Sequence, residues 1–174
     1  MVSIFRFTAR PIAKPITRVM PPVALTHIVN AAEWIVGPVT RLVADAEHFV
    51  LEGVDVEDTV HLITRHDNVM GSFSMNQHQA PNETTLTVIC ERGTVRYEAH
   101  TARWLTCTEP NTPWKVEEEF QFERDDMFLT QATAYLDQLE GSAGPACSLD
   151  EARQTLCANL AALKSLETGN WIKL

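Results

Sequence analysis

Glycine is scarce in this chain, with seven in 174 residues. None of them form G-x-G-x-x-G or a Walker loop. Gly141 and Gly144, the nearest approach, follow no predicted strand. By itself the chain therefore lacks the usual Rossmann cradle for a dinucleotide. A G-x-S-x-G nucleophile elbow is also missing. No apolar run approaches the roughly 18 residues that cross a bilayer, so no membrane partner is expected. The four cysteines, Cys90, Cys107, Cys147 and Cys157, include no C-x-x-C pair. They read as small core hydrophobes or free thiols of a reducing, cytoplasmic compartment, with no metal site. Cations are few as well: 14 against 23 acidic residues, a net charge of −9. A general grip on nucleic acid phosphates is disfavoured by that balance.

Acids are missing from one stretch in particular. Residues 1–32 carry Arg6, Arg10, Lys14 and Arg18 and no carboxylate. Pro11, Pro15, Pro21 and Pro22 forbid a continuous helix there. No apolar core and small-residue cleavage site follow, so the segment does not read as a secretion signal. Residues 1–22 are expected to be an atypical N-terminal tail, disordered or loosely attached. The remainder, 23–174, reads as one domain, and 45% apolar residues suffice for a globular core.

Within it, residues 24–36 place Leu25, Ile28, Val29, Ala32 and Ile35–Val36 near a 3.6-residue period, and Gly37-Pro38 stops that helix. Seven strand candidates follow: 39–48, 57–65, 69–77, 83–91, 93–99, 102–108 and 114–122. Their short links imply antiparallel neighbours. Two helices close the chain. Residues 125–140 carry an apolar stripe of Phe128, Ala132, Tyr135, Leu136 and Leu139. Residues 149–168 open on a Ser148–Glu151 capping box, with Leu149, Ala152, Leu156, Leu160, Leu163 and Leu166 expected inward. The order predicts an α+β fold: a mixed, mainly antiparallel sheet of six to eight strands with helices packed on one face. Met70, Phe73 or Ser72, Leu86, Val88 and Trp104 exceed what one face absorbs, which predicts a homo-oligomer through the open sheet face.

Candidate chemistry is thin. His27 and Asn30 lie three apart on the first helix and can share a face. A histidine there suits acid–base work, and the competing reading is a half-buried ring bonded to a carbonyl. His48, His61, His66, His78 and His100 read as surface residues at strand ends and loops. The acids at 117–126 lack the calcium-loop pattern and read as a solvated strand edge and helix start. The amides of 76–83 could meet a polyol's hydroxyls, or be plain loop residues.

Taken together, particular words in order resemble a family. The helix reads V-A-L-T-H-I-V-N-A-A-E-W-I-V-G, Val56-Glu57-Asp58-Thr59 resembles a V-E-D-T strand start, and D-D-M-F-L-T-Q-A-T-A-Y-L-D-Q-L-E-G with S-L-D-E-A and S-L-E-T-G follows. From about Val23 to Leu174 the chain is similar to the C-terminal domain of the glucose–fructose oxidoreductase / inositol dehydrogenase (Gfo/Idh/MocA) family, a dihydrodipicolinate-reductase-like C-terminal domain, without the family's Rossmann domain. The resemblance implies hydride transfer between NAD(P) and a sugar or cyclitol carbon, so NAD(P) is implied for an intact member and no cofactor for this chain. It implies His27 as the catalytic histidine and Asn30, at the family's second Asp, as substrate-binding. It also implies oligomers through the free sheet face. Val23 stands where the family's first Asp belongs, and Ala13-Lys14-Pro15 lies too near His27 to be the family's E-K-P. Codons for Pro-Ile-Ala-Lys-Pro-Ile-Thr-Arg can be read in a shifted frame as Tyr-Arg-Glu-Thr-Tyr-His-Ala, so residues 1–22 are expected to be an out-of-frame start. The expected function is the substrate-binding and oligomerisation domain of an NAD(P)-dependent sugar/cyclitol oxidoreductase, truncated and inactive as this chain. The alternative is a non-catalytic homo-oligomeric interaction module.

Overall fold

The computed structural model describes residues 4–9, 25–53, 56–123 and 125–174. Nine strands form a single sheet: β1 (Ile4–Ala9), β2 (Arg41–Glu47), β3 (Thr59–His66), β4 (Val69–Asn76), β5 (Thr85–Cys90), β6 (Gly93–Glu98), β7 (Arg103–Cys107), β8 (Lys115–Glu119) and β9 (Ile172–Lys173). Three helices accompany them among the described residues: α1 (Thr26–Val36), α2 (Asp126–Leu139) and α3 (Leu149–Thr168). Across the sheet the order is β8-β7-β6-β5-β1-β4-β3-β2-β9. Every neighbouring pair is antiparallel except β1 with β4. The mixed, mainly antiparallel α+β architecture is the one the sequence implies, with two more short strands at unexpected places.

One of those strands corrects the expected tail. Ile4–Ala9 lies inside the sheet, with Phe7 opposite Phe73 of β4 and Leu86 of β5. The words I-F-R-F-T-A are strand-prone, but the prolines that follow hide this in a reading of the whole segment. The rest of the expected tail, residues 1–3 and 10–22, lies outside the described residues.

The core sits between one sheet face and two helices. Leu25, Val29 and Ala32 of α1 meet Leu42 and Ala44 of β2, Val60 and Leu62 of β3, Phe73 and Met75 of β4, and Ala158, Ala161 and Ala162 of α3. Helix α3 reaches the sheet through small residues rather than through its leucines. Thr155, Ala158, Asn159, Ala161, Ala162 and Ser165 are buried, whereas Leu149, Ala152, Leu156 and Leu160 are exposed and Leu163 and Leu166 half-buried. The first part of the expected leucine stripe, Leu149 to Leu160, is therefore turned outward, while Leu166 packs against the core's edge. Small side chains let the helix axis approach β2 closely enough for a direct bond: Ser165 Oγ accepts the Ala44 N–H at 2.9 Å and donates to the Asn170 carbonyl at 2.7 Å. A leucine face would hold the helix too far away for that.

Helix α2 is the second departure. It has no buried residue, and Met127, Phe128, Leu129, Tyr135, Leu136 and Leu139 are all exposed. The expected stripe exists, but no described element covers it. Of the two readings of the cysteines, free thiols holds: Cys90, Cys147 and Cys157 are exposed and Cys107 is half-buried, so none is a core hydrophobe.

The chain between β2 and β3 is tied down by one carboxylate. Asp58 is fully buried, and its Oδ2 accepts the N–H groups of Phe49, Val50 and Leu51 at 3.1, 2.8 and 3.0 Å. Its Oδ1 accepts the Thr59 hydroxyl at 3.0 Å. Burial pushes the carboxyl's pKa up, but the backbone donors and Thr59 outweigh it and hold it well below the usual carboxylate range. The folded-state pKa is thus below the unfolded one. The resulting stability is present above the unfolded value of about 4 and is lost as pH falls through and below it. Asp58→Ala is expected to lower unfolding free energy by about 2–4 kcal/mol by orphaning buried donors. In urea melts from pH 7 to pH 3 the wild type should lose stability on acidification and Asp58→Asn should lose less. Equal pH slopes would contradict this role.

Candidate functional site at the α1–α3 seam

Helix α1 divides its surface three ways. Leu25, Val29 and Ala32 face the core, Thr26, Asn30 and Glu33 turn toward α3, and His27 and Trp34 share an outward stripe two turns apart. Gly37 ends the helix with φ +93°, its N–H bonded to the Glu33 carbonyl. A side chain there would be strained, which is why this stop needs glycine.

The α1–α3 seam is polar and closed on itself. Asn159 Nδ2 donates to Thr26 Oγ1 at 2.9 Å. One turn further, Asn30 Nδ2 donates to Thr155 Oγ1 at 3.0 Å, and the Thr155 hydroxyl donates to Glu33 Oε2 at 2.6 Å. Glu33 Oε1 accepts the Val39 N–H at 3.2 Å, and Gln154 Nε2 donates to the Val39 carbonyl at 3.0 Å. The chain leaving α1 is thereby fixed to the first turns of α3. The Ser148–Glu151 capping box forms as read from sequence: Ser148 Oγ accepts the Glu151 N–H, and Glu151 Oε2 accepts the Ser148 N–H.

Beside this seam lies a groove of about 390 Å³ lined by Asn30, Glu33, Trp34, Pro38, Cys147 and Gln154, among others. Trp34 is 80% exposed and forms an open aromatic wall. Asn30 therefore has one hand in the seam and borders the groove. His27 is exposed, does not line the groove, and has no hydrogen bond or ion pair among the described residues. A ring held in this way is free to meet a molecule approaching the outer side of α1. Sequence reasoning named His27, Asn30 and Trp34 but missed Glu33, Gln154 and Thr155. Their signal was present: Thr26, Asn30 and Glu33 recur at helical spacing on a face that is not the core face.

The other histidines divide differently from expectation. His66 is buried, not at the surface: its Nδ1–H donates to the Gly37 carbonyl at 2.7 Å, and Nε2 lies 3.0 Å from Thr64 Oγ1. This is the carbonyl-bonded histidine weighed for His27, found at the end of β3 instead. It packs over Gly71, where an added Cβ would collide with Thr64 Oγ1. His48 and His78 are local in their contacts: His48 Nε2 meets the Leu51 carbonyl, and His78 Nε2 lies 3.5 Å from Asp58 Oδ2. The loop amides also bond nearby, Asn76 to Thr59 and the His78 N–H, Gln79 to the Pro81 carbonyl. His61 is exposed on β3, and exposed His100 reaches back to Thr84. Among the described residues no group of three metal-ligating side chains converges, and no helix is long and apolar enough to cross a membrane.

The fold has known counterparts. The family model described as GFO/IDH/MocA C-terminal domain matches residues 24–96. The chain resembles the C-terminal domain of the Gfo/Idh/MocA oxidoreductases. A solved levoglucosan dehydrogenase in complex with NADH and levoglucosan shares 14% identity at a TM-score of 0.78, over 100% of this chain and 58% of that one. The WlbA dehydrogenase from Bordetella pertussis, in complex with NADH and UDP-GlcNAcA, shares 21% at a TM-score of 0.68, over 99% and 55%. A probable dehydrogenase from Thermotoga maritima shares 20% at a TM-score of 0.75, over 98% and 56%. The chain thus spans between half and three-fifths of the length of these relatives, and the likeness is one of fold. No curated protein matches it by sequence. The described residues include no Rossmann domain, and no glycine-rich turn among them follows a strand into a helix.

The seam makes a direct stability prediction. Thr155→Val should cost about 1–3 kcal/mol, since the Asn30 amide and the Glu33 carboxylate each lose a partner. Thr155→Ser should keep most of it. Urea unfolding at pH 7 measures both, and a Thr155→Val midpoint equal to wild type would show the seam to be energetically idle.

Proposed function

We propose that this chain is the substrate-binding and oligomerisation domain of an NAD(P)-dependent sugar or cyclitol oxidoreductase. The observation that carries the reading is His27: a single exposed, unpartnered imidazole on α1, in a fold shared with dehydrogenases whose solved structures hold NADH with a sugar. In this reading His27 hydrogen-bonds the reacting hydroxyl and exchanges its proton, because an imidazole titrates near neutrality. Asn30 orients a neighbouring hydroxyl, since an amide cannot serve as a base. Val23 supplies no proton acceptor where the family has Asp, so turnover is expected to be weak.

The nicotinamide cofactor has to be held by another domain, and the apolar surfaces of the helix side support a place for one. Leu86, Val88 and Trp104 share the sheet face of Phe73 and Gly71, yet no described helix covers them. The outward Leu156 and Leu160 of α3 add to that side, and α2 carries an open apolar stripe of its own. Each such side chain gains about 1.5–3 kcal/mol on full burial, so the surface favours an occupant. The assembly role falls to the opposite sheet face. Of the residues expected there, Met70 and Ser72 do lie on it, whereas Phe73, Leu86, Val88 and Trp104 turn to the helix side; Val43 and Ile63 join Met70 and Ser72. A homodimer through that face is the reading these residues support.

The test is a chimera. Fused to the N-terminal domain of a related dehydrogenase and screened on sugars and cyclitols with NAD and NADP, the domain should give slow turnover. Val23→Asp should raise kcat, and His27→Ala should lower it about 100-fold or more, the usual contribution of an acid–base group. The chain alone should leave NADH fluorescence unchanged. Turnover unaffected by His27→Ala would remove His27 from the reaction. Tight NADH binding by the chain alone would overturn the assigned division of labour.

A further inference from the structure

At one end of the strand side, three cations stand in a row with no acid to answer them. Arg41 of β2 lies opposite Arg65 of β3 on one side and Lys173 of β9 on the other. The next residues, Leu42 and Thr64, are buried toward the helices, so the cations project from the other face. Adjacent strands lie about 4.8 Å apart, so the row spans about 10 Å and its long side chains can converge on one group. Like charges directly opposite one another disfavour a sheet. Here the chain does not relieve them: among the described residues the side chains of Arg41, Arg65 and Lys173 form no ion pair and no hydrogen bond. The row continues with Met70 of β4, which is uncharged. Asp67, in the turn after β3, pairs with none of the three. Asp45 is four residues from Arg41, about 13 Å along the strand and beyond the screening length of about 8 Å at physiological salt. The chain has 23 acidic residues against 14 Lys and Arg, yet these three cations find no acid within it. Their counter-charge has to come from outside.

Two features prepare the row for an anion. The Arg41 guanidinium stands over the Trp171 ring, 5.1 Å from its centroid, so this side chain is already partly ordered. Arg65 is half-buried, and its Nε is buried without a hydrogen-bond partner. An orphaned guanidinium N–H gains most from an oxyanion, which accepts from Nε and one Nη side by side. We propose that Arg41, Arg65 and Lys173 bind a phosphate group, either as inorganic phosphate or as the end of a phosphate monoester. Arg65 donates to two of its oxygens, Arg41 to a third, and the Lys173 ammonium closes the row as a point charge. A carboxylate fits less well, because it brings two oxygens and one charge. A phosphate group brings three oxygens and nearly two charges. The site lies on the sheet face away from α1 and His27, so it stands apart from the acid–base reading given to that histidine.

Thermal melting of the full chain tests this, with inorganic phosphate compared against chloride at equal ionic strength. At a dissociation constant on the order of 1 mM, about 20 mM phosphate should raise the wild-type midpoint by several degrees beyond chloride. Glycerol phosphate separates the two sources. A rise as large or larger identifies a monoester, and a rise with inorganic phosphate alone identifies the free ion. By calorimetric titration, Arg65→Gln and Lys173→Gln should each weaken phosphate binding about tenfold. In phosphate-free buffer Lys173→Gln, at an exposed position, should melt no lower than wild type, because it removes a like-charge neighbour. Far-ultraviolet circular dichroism checks that both variants keep the fold. Phosphate that stabilises wild type no more than chloride overturns the site. So does a Lys173→Gln variant that binds phosphate as wild type does, which would leave the residue a purely structural place in the row.

Discussion

Everything at the candidate site depends on how closely α3 lies against β2 and α1. That closeness comes from Ala158, Ala161 and Ala162, which bring no bulk, and from Ser165, which replaces a missing strand partner for Ala44. β9 pairs with β2 only at Arg41 and Leu42, so the Ala44 N–H beyond it would otherwise be buried and unsatisfied. The serine hydroxyl ends the strand's edge with a helix. A buried orphan N–H costs about 1–3 kcal/mol, comparable with a buried leucine, so polar completion and apolar burial weigh alike here. With α3 fixed, the Asn159–Thr26 and Thr155–Asn30–Glu33 bonds fix the rotation of α1. That rotation sets His27 outward.

A helix that spends its small face on the core has its large residues left over. This is why Leu149, Leu156 and Leu160 of α3 point away. The two faces of the sheet thus differ in character. The helix side is apolar and carries α1 with His27. The strand side carries Arg41, Arg65 and Lys173 in one row. Asp58 serves both, because it anchors the chain between β2 and β3, the two strands that contribute to each side.

Strands and helices were legible in the sequence because their signals are local. The strands foreseen after Pro38 all appear, and so do the three helices, the capping box and the Gly37 stop. What the sequence did not disclose was which face of a helix wins. A leucine stripe and an alanine–serine face both recur at helical spacing on α3, and periodicity alone prefers the more apolar one. The outcome turned on hydrogen bonds to Ala44, Asn30 and Thr26, residues far away along the chain. β1 was hidden for a similar reason: its place between β4 and β5 is set by pairing with distant strands rather than by its own neighbours. His66 follows suit, buried by a carbonyl, that of Gly37, which only the fold brings near.

The same logic bears on the chemistry of His27. An imidazole acts as acid or base most effectively when a second group fixes its tautomer, and the buried His66 shows what that looks like, with a carbonyl on one nitrogen and a hydroxyl by the other. His27 has neither. Asn30, one turn on, is already bound to Thr155, and the carboxylate of Glu33 is occupied by Thr155 and the Val39 N–H. The seam that positions α1 thus consumes the polar groups that could have tuned the histidine. In the reading proposed above, the group that directs its proton is supplied by the substrate or by another domain, and the outward, unpaired ring is open to both.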